Sequence, residues 1–246
     1  MNVKDLIKNI IYGAKANSES YIKYLRSKGM RIGENTTIYV PTKTSIDETR
    51  PWMIEIGNNV NITEGVTILT HGYDWSVFKV KYGDILGSAG RVTIGNNVFI
   101  GMNTIVLKGV SVGDNSIIGA GSVLTSGGVY PENSVIVGNP ARVIGTIDNY
   151  REKMITRQIP EAVECFKCYK EVFNKVPAKE VFREFFWLFE KNDETQLCEA
   201  FTDIMKLEGN YDLSLYRWRD VKPLFSSYDE FVAYCEKGTE SGENYA

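Results

Sequence analysis

The sequence predicts a mainly β fold, a solenoid of short strands with helical segments at both ends. Three observations predict it. From Val92 to Gly145 an apolar residue returns at every sixth position: Ile94, Ile100, Val106, Val112, Ile118, Leu124, Tyr130 and Ile136. Glycine follows four of these, at 95, 101, 113 and 119, and a small or β-branched residue stands four places on, as at Val98, Thr104, Val110, Ser116 and Ser122. Beyond Gly145 the six-residue period gives way to helical spacing. A helix needs an apolar repeat of about 3.6 and a plain strand a repeat of about two, so six fits neither. It suits short strands joined by tight turns, with Gly or Asn at corners that tolerate positive φ. Such repetition marks a solenoid.

Residues 1–28 are expected to be helical, with Leu6, Ile10, Ile11, Tyr21, Ile22 and Leu25 as apolar positions and a small, polar middle from Gly13 to Ser20 where the helix can divide. This segment is expected to cap the open end of the solenoid, whose strand edge needs covering. The repeat domain spans 29–146, beginning at Ile32-Gly33-Glu34-Asn35-Thr36. The stretch Thr42–Trp52 lacks the pattern, yet Ile56 falls eighteen residues after Ile38, so it reads as an irregular coil rather than a linker.

After Ile68 the phase breaks. Ile94 lies 26 residues on, which is no multiple of six, and residues 74–91 must loop out. An excursion of that length in a regular repeat is commonly functional. Its aromatics Trp75, Phe78 and Tyr82 argue that it is ordered and packed.

Residues 147–246 are expected to form a helical domain. A first helix covers Tyr150–Phe173, with Pro160 as a candidate bend. Pro177 opens a second, whose apolar face carries Val181, Phe182, Phe185, Phe186, Leu188 and Phe189. A third covers Glu194–Leu207 and a fourth Tyr228–Glu236, with Ser226 or Ser227 as N-cap, and the end from Gly238 reads as frayed. The aromatic stripe is read as this domain's own core.

The run IGNNVFIGMNTIVLKGVSVGDNSIIGAGSVLTSGG, residues 94–128, closed by GNPARVIG at 138–145, resembles the hexapeptide-repeat acyltransferases, among them the sugar and polysaccharide O-acetyltransferases. The likeness covers about residues 31–146. It implies a left-handed parallel β-helix in which three hexads make one triangular coil. The hand comes from the resemblance alone, because parallel crossovers are otherwise right-handed. A homotrimer and acetyl-CoA as co-substrate are implied in the same way.

His71 is the only histidine. A lone histidine is more often structural than chemical, but this one ends a regular coil just before the loop. Asp74 follows it and is expected to orient the ring and fix its tautomer. The resemblance gives His71 the family's role of general base. Direct transfer is then implied: the neutral ring takes a proton from an acceptor hydroxyl or amine as it attacks the acetyl thioester. An ordinary imidazole, with a pKa of about 6.5, suits that work near neutrality.

The resemblance puts the oxyanion donor in the hexad Ile100-Gly101-Met102-Asn103. Where the galactoside acetyltransferases carry Ser, this chain has Met102, so the candidate donor is the backbone N–H of Gly101 or Met102. For coenzyme A the resemblance points to Gly119, Ala120, Ser122 and Thr125 along the pantetheine arm, and to Pro140 and Arg142 near the adenine and phosphates. Small residues also permit such close approach. Ser126 and Gly145 stand where related enzymes often have Lys and Arg, which makes Lys108 a candidate substitute. Trp75, Phe78 and Tyr82 are the candidate acceptor-binding residues.

Composition narrows the alternatives. A formal net charge of −3 with 43% hydrophobic residues gives no electrostatic case for nucleic acid or an anionic membrane. No apolar run is long enough to span a bilayer, and MNVKDLIKNIIYGAKA lacks the h-region of a secretory signal. A cytoplasmic location is expected. No metal site is expected either: Cys165-Phe-Lys-Cys168 has no second pair, and one histidine is too few for a γ-type carbonic anhydrase, which needs three.

The leading reading is therefore an acetyl-CoA-dependent O-acetyltransferase acting on a sugar or a surface-polysaccharide precursor. N-acetylation of an amino sugar would use the same base and co-substrate. A reading of another class is a non-catalytic trimeric scaffold that presents the helical domain.

Overall fold

The computed structural model describes residue 8 and residues 10–240. The chain divides into two compact units, Met1–Tyr150 and Arg151–Ala246, each with its own apolar core.

In the first unit the described strands form three sheets, of five, six and four strands. Each turn of the chain gives one strand to each sheet. Val92–Ile94, Val98–Ile100 and Ile105–Val106 make one coil, and Ser111–Val112, Ser116–Ile118 and Val123–Leu124 stack on it in parallel. Ser111 pairs with Thr93 and with Val129 on its other side, a step of three hexads each time. This is a left-handed parallel β-helix. The inward residues Ile94, Ile100, Val106, Val112, Ile118, Leu124 and Ile136 are all 2% exposed or less. Each buried aliphatic of this kind stabilises the fold by about 1.5–3 kcal/mol.

The corners divide their work differently from the sequence expectation. Asn35, Asn59, Asn97, Asn115 and Asn133 hold the positive φ, between 53° and 57°. The glycines that follow the inward isoleucines do not; they are required by close approach. A Cβ on Gly101 would stand 2.5 Å from the backbone nitrogen of Ala120 in the next coil.

The first coil takes more residues than the eighteen of the regular coils. Arg31 pairs with Glu55 and Ser45 with Thr67, so the extra residues fall at the corners on either side of Ser45–Ile46. Each corner holds a proline-initiated 3₁₀ turn, Pro41–Lys43 and Pro51–Met53. The stretch without hexads is thus part of a coil. The eighteen residues from Ile38 to Ile56 are not one turn, however: Ile38 pairs with Ile62 and Ile56 with Ile32, a step of 24.

Asn17 caps the helix Ser18–Ser27, its side chain accepting from the Ser20 amide at 2.9 Å. Tyr21, Ile22 and Leu25 are buried in the same core as Ile32 and Ile38. Ser18 Oγ accepts from the Ile38 amide at 2.9 Å, which satisfies part of the first coil's open edge. Ile10 and Ile11, expected as apolar face positions, are exposed; they precede the 3₁₀ turn Gly13–Ala16 and do not reach this core. Leu6 and the rest of residues 1–7, with residue 9, lie outside the described residues. At the far end Ser134–Gly138 turns back antiparallel into Ala141–Thr146, which covers the last coil.

The second unit packs Phe166, Phe182, Phe189, Phe201, Trp218 and Phe231 into one core. The helix Ile147–Phe173, with Pro160 inside it, begins in the last residues of the first unit and supplies the second unit's first helix from Arg151 on. The expected second helix is instead two 3₁₀ turns, Lys179–Phe182 and Phe186–Leu188. Phe and Val are weak helix formers, and here ring packing decides: Phe186 stacks on Phe201 at 4.7 Å and Phe189 on Phe231 at 5.3 Å. The third expected helix shortens to Glu199–Lys206 after a turn at Glu194–Gln196.

A helix at Tyr211–Asp220 was not expected; only Leu215 and Trp218 mark its buried side. The last runs Tyr228–Glu240, with Ser227 Oγ accepting from the Glu230 amide. Of the end expected to fray, residues 241–246 lie outside the described residues. Among the described residues no helix is long and apolar enough to cross a membrane, and no group of His, Cys, Asp and Glu could hold a metal ion.

Candidate active site

His71 follows the strand Thr67–Ile68 at a corner of the second coil. Asp47 follows Ser45–Ile46 at the matching corner of the first coil, one layer away, and its amide donates to Ile68 O at 2.9 Å. Stacking therefore brings the two side chains together. His71 Nδ1 lies 2.7 Å from Asp47 Oδ2. The His71 side chain is 28% exposed and that of Asp47 only 3%, so the ring reaches solvent from a buried anchor.

Asp47 is held by more than the histidine. Its Oδ1 accepts from the Thr49 amide at 2.9 Å and from Thr49 Oγ1 at 2.6 Å, while Oδ2 accepts from the Thr70 hydroxyl and amide. Burial alone would raise the Asp47 carboxyl pKa, but the donors of Thr49, Thr70 and His71 outweigh it and hold it well below the usual carboxylate range. The group is a carboxylate at neutral pH. A carboxylate accepts only, so in the neutral ring Nδ1 carries the proton and Nε2 the lone pair. That is the tautomer a general base needs.

Sequence reasoning assigned the orienting role to Asp74, but the Nδ1 partner is Asp47. Asp74 begins the helix Trp75–Tyr82 and makes no side-chain cap bond to it. Proximity in sequence favoured Asp74; stacking between coils favours Asp47, which sits in the stretch where the hexads cannot be followed.

The loop after His71 is rooted at its own base. His71 and Ala89 form an antiparallel bridge, and the Gly90 amide donates to Thr70 O at 2.9 Å. Its helix was expected to pack its aromatics, yet no residue of Trp75–Tyr82 is buried within this chain. Val80 is 91% exposed and Val77 64%. Tyr73 and Trp75 pack on each other at 4.8 Å. Ser88 bonds Lys108 Nζ, so the loop engages the lysine considered as a substitute phosphate contact.

The two oxyanion candidates separate. The Gly101 amide is spent in the sheet ladder, donating to Ile118 O at 2.8 Å, while exposed Met102 carries an amide with no partner among the described residues.

A model of the bacterial transferase hexapeptide, six repeats, matches residues 91–126. Protein CapG of Staphylococcus aureus is 43% identical over 131 residues, which make up 53% of this chain and 74% of that protein. The chain belongs to the hexapeptide-repeat acyltransferase family. It is a member of an acetyl-CoA-dependent enzyme family. Among solved structures, a maltose O-acetyltransferase from Clostridium difficile 630 is 28% identical, with 58% of this chain and 81% of that chain covered at a TM-score of 0.39. A galactoside acetyltransferase in complex with coenzyme A is 25% identical, with 62% and 86% covered at a TM-score of 0.41.

The acyltransferase's own residues fit an extended thioester co-substrate in part. Ala120 is exposed at a corner with its amide unpartnered among the described residues, and Thr125 is exposed one strand on. Pro140 and Arg142 are exposed at the reversing end of the β-helix, and among the described residues the Arg142 guanidinium bonds only its neighbour's carbonyl, Ala141 O at 2.9 Å. Two expected contacts are taken up inside the fold. Ser122 is fully buried, donating to Gly119 O at 2.6 Å and accepting from the Gly138 amide at 3.1 Å. The Gly119 amide is spent on Ile136 O at 2.8 Å. Both fall where the coil needs a polar corner to satisfy its own backbone.

Proposed function

We propose that this acyltransferase moves an acetyl group from acetyl-CoA to a hydroxyl of a sugar or surface-polysaccharide precursor, with His71 as general base. The observation that carries the reading is the Asp47–His71 pair, which leaves Nε2 free to accept a proton at a solvent-reaching position. Acetyl-CoA supplies the activated acyl group. Nε2 takes the acceptor's hydroxyl proton as its oxygen bonds to the carbonyl carbon. The C–S bond then breaks and the same nitrogen returns the proton to sulfur. The Met102 amide is the donor for the developing negative charge. Ala120, Thr125, Pro140 and Arg142 hold the co-substrate, and Trp75, Phe78 and Tyr82 bind the acceptor. An apolar loop helix with no buried residue of its own supports a site completed by a second copy in a homotrimer. The four free cysteines suit a cytoplasmic, reducing setting.

The direct test is acetyl transfer from acetyl-CoA to a panel of sugars and amino sugars, read by product mass. O-acetylated sugar supports the reading. N-acetyl product alone would replace it with amino-sugar acetylation. Folded protein that binds acetyl-CoA and acetylates nothing would favour the scaffold.

A further inference from the structure

The second unit holds a cavity of about 860 Å³ that the acetyl-transfer reading does not use. Its size falls within the range of small-molecule sites, about 300–1,000 Å³. The lining is apolar at depth. Phe186, Leu188 and Met205 are buried under it, and Ile204, Val221 and Trp187 are half-buried along it.

The edge is basic. Arg151, Arg183, Arg217 and Lys222 line it, all exposed, and none has an ion pair or side-chain hydrogen bond among the described residues. One acid, Glu184, stands among them. The formal charge there is thus positive on a chain whose net charge is −3. Four cations around one mouth repel one another unless an anion joins them.

We infer that this cavity binds a phosphorylated amphiphile, a hydrocarbon chain ending in a phosphate or diphosphate. The head is specified by charge: three guanidinium forks and an ammonium exceed what a single carboxylate can satisfy, and they match the several oxygens of a diphosphate. The tail is specified by the lining, which apart from the rim charges and the half-buried Gln158 and Ser214 is aliphatic, aromatic or thioether. All the lining residues lie between 151 and 224, so the site stands or falls independently of the acetyl acceptor.

Calorimetry on the full chain tests this with farnesyl diphosphate, kept below its micellar concentration. Farnesol, inorganic pyrophosphate and adenosine diphosphate are the comparison probes. The expected result is saturable one-to-one binding of farnesyl diphosphate, at least about tenfold tighter than any of the other three. Arg183→Gln combined with Arg217→Gln should weaken it by about tenfold or more. Leu224→Asp, at an exposed edge position, should abolish it without disturbing the core. Equal affinity for pyrophosphate would reduce the site to an anion patch, and equal affinity for farnesol to an apolar groove. Tighter binding of adenosine diphosphate would make it a nucleotide site. Any of these, or unchanged affinity in the arginine variants, overturns the assignment.

Discussion

Asp47 and His71 stand 24 residues apart in sequence and 2.7 Å apart in space. The contact is made by the coil itself: two consecutive layers place their corners in register, and the corner between one pair of strands holds the carboxylate while the next holds the imidazole. Thr49 and Thr70 complete the carboxylate's shell, so the aspartate is fixed before the histidine is oriented by it.

Asp47→Asn should separate orientation from the rest of the site. An amide can present its NH₂ to Nδ1 and reverse the tautomer. The expected result is a fall in kcat of about 10²-fold or more, with acetyl-CoA affinity unchanged. Asp74→Asn should change kcat by less than about twofold, since Asp74 is not the ring's partner. Equal losses in the two variants would return the orienting role to Asp74.

The same aspartate predicts a pH dependence of stability. Its carboxyl is depressed in the folded state from an unfolded value of about 3.9. The unfolded chain therefore binds the proton first, and the native state gains from the ionised group above about pH 4. That gain is lost as pH falls below 4 toward the depressed folded value. Urea unfolding across pH 2–6 should show a steeper acid loss in the wild type than in Asp47→Asn. Parallel curves would contradict the assignment.

The fold was legible wherever each hexad was intact, because one inward aliphatic per six residues is a period no helix or plain strand produces. The site was legible only by half. His71 stands beside the broken phase and could be singled out. Asp47 lies in the coil whose corners are lengthened by two proline turns, so no six-residue count aligns it with the histidine. The corner glycines were visible but misread, since close approach between layers and positive φ select the same residue. In the second unit, Phe182, Phe186 and Phe189 showed helical spacing at 4 and 3 residues, yet packing against Phe201 and Phe231 winds them into shorter turns.

Trp75→Ala and Phe78→Ala address the loop. If the loop helix contacts the acceptor, each should raise the acceptor KM several-fold while leaving that for acetyl-CoA within about twofold. Neither residue is buried within the chain, so melting temperature should hold. Equal rises in both KM values would place the helix outside the acceptor pocket.

Assembly is tested by light scattering. A homotrimer predicts three times the 27.7 kDa chain mass, and Val80→Glu, on the most exposed apolar position of the loop helix, should weaken it if that helix meets a second copy. A monomer mass for the wild type would contradict the shared site.

His71→Ala is the measurement closest to the central claim, made as single turnover at saturating acetyl-CoA alongside acetyl-CoA binding and thermal unfolding. No second histidine exists in the chain, and a carboxylate of ordinary pKa, about 4, is a weak base for a hydroxyl. The account predicts a rate lower by roughly 10²–10⁴-fold, with co-substrate affinity and stability little changed. A folded His71→Ala protein that binds acetyl-CoA and turns over at the wild-type rate would contradict it.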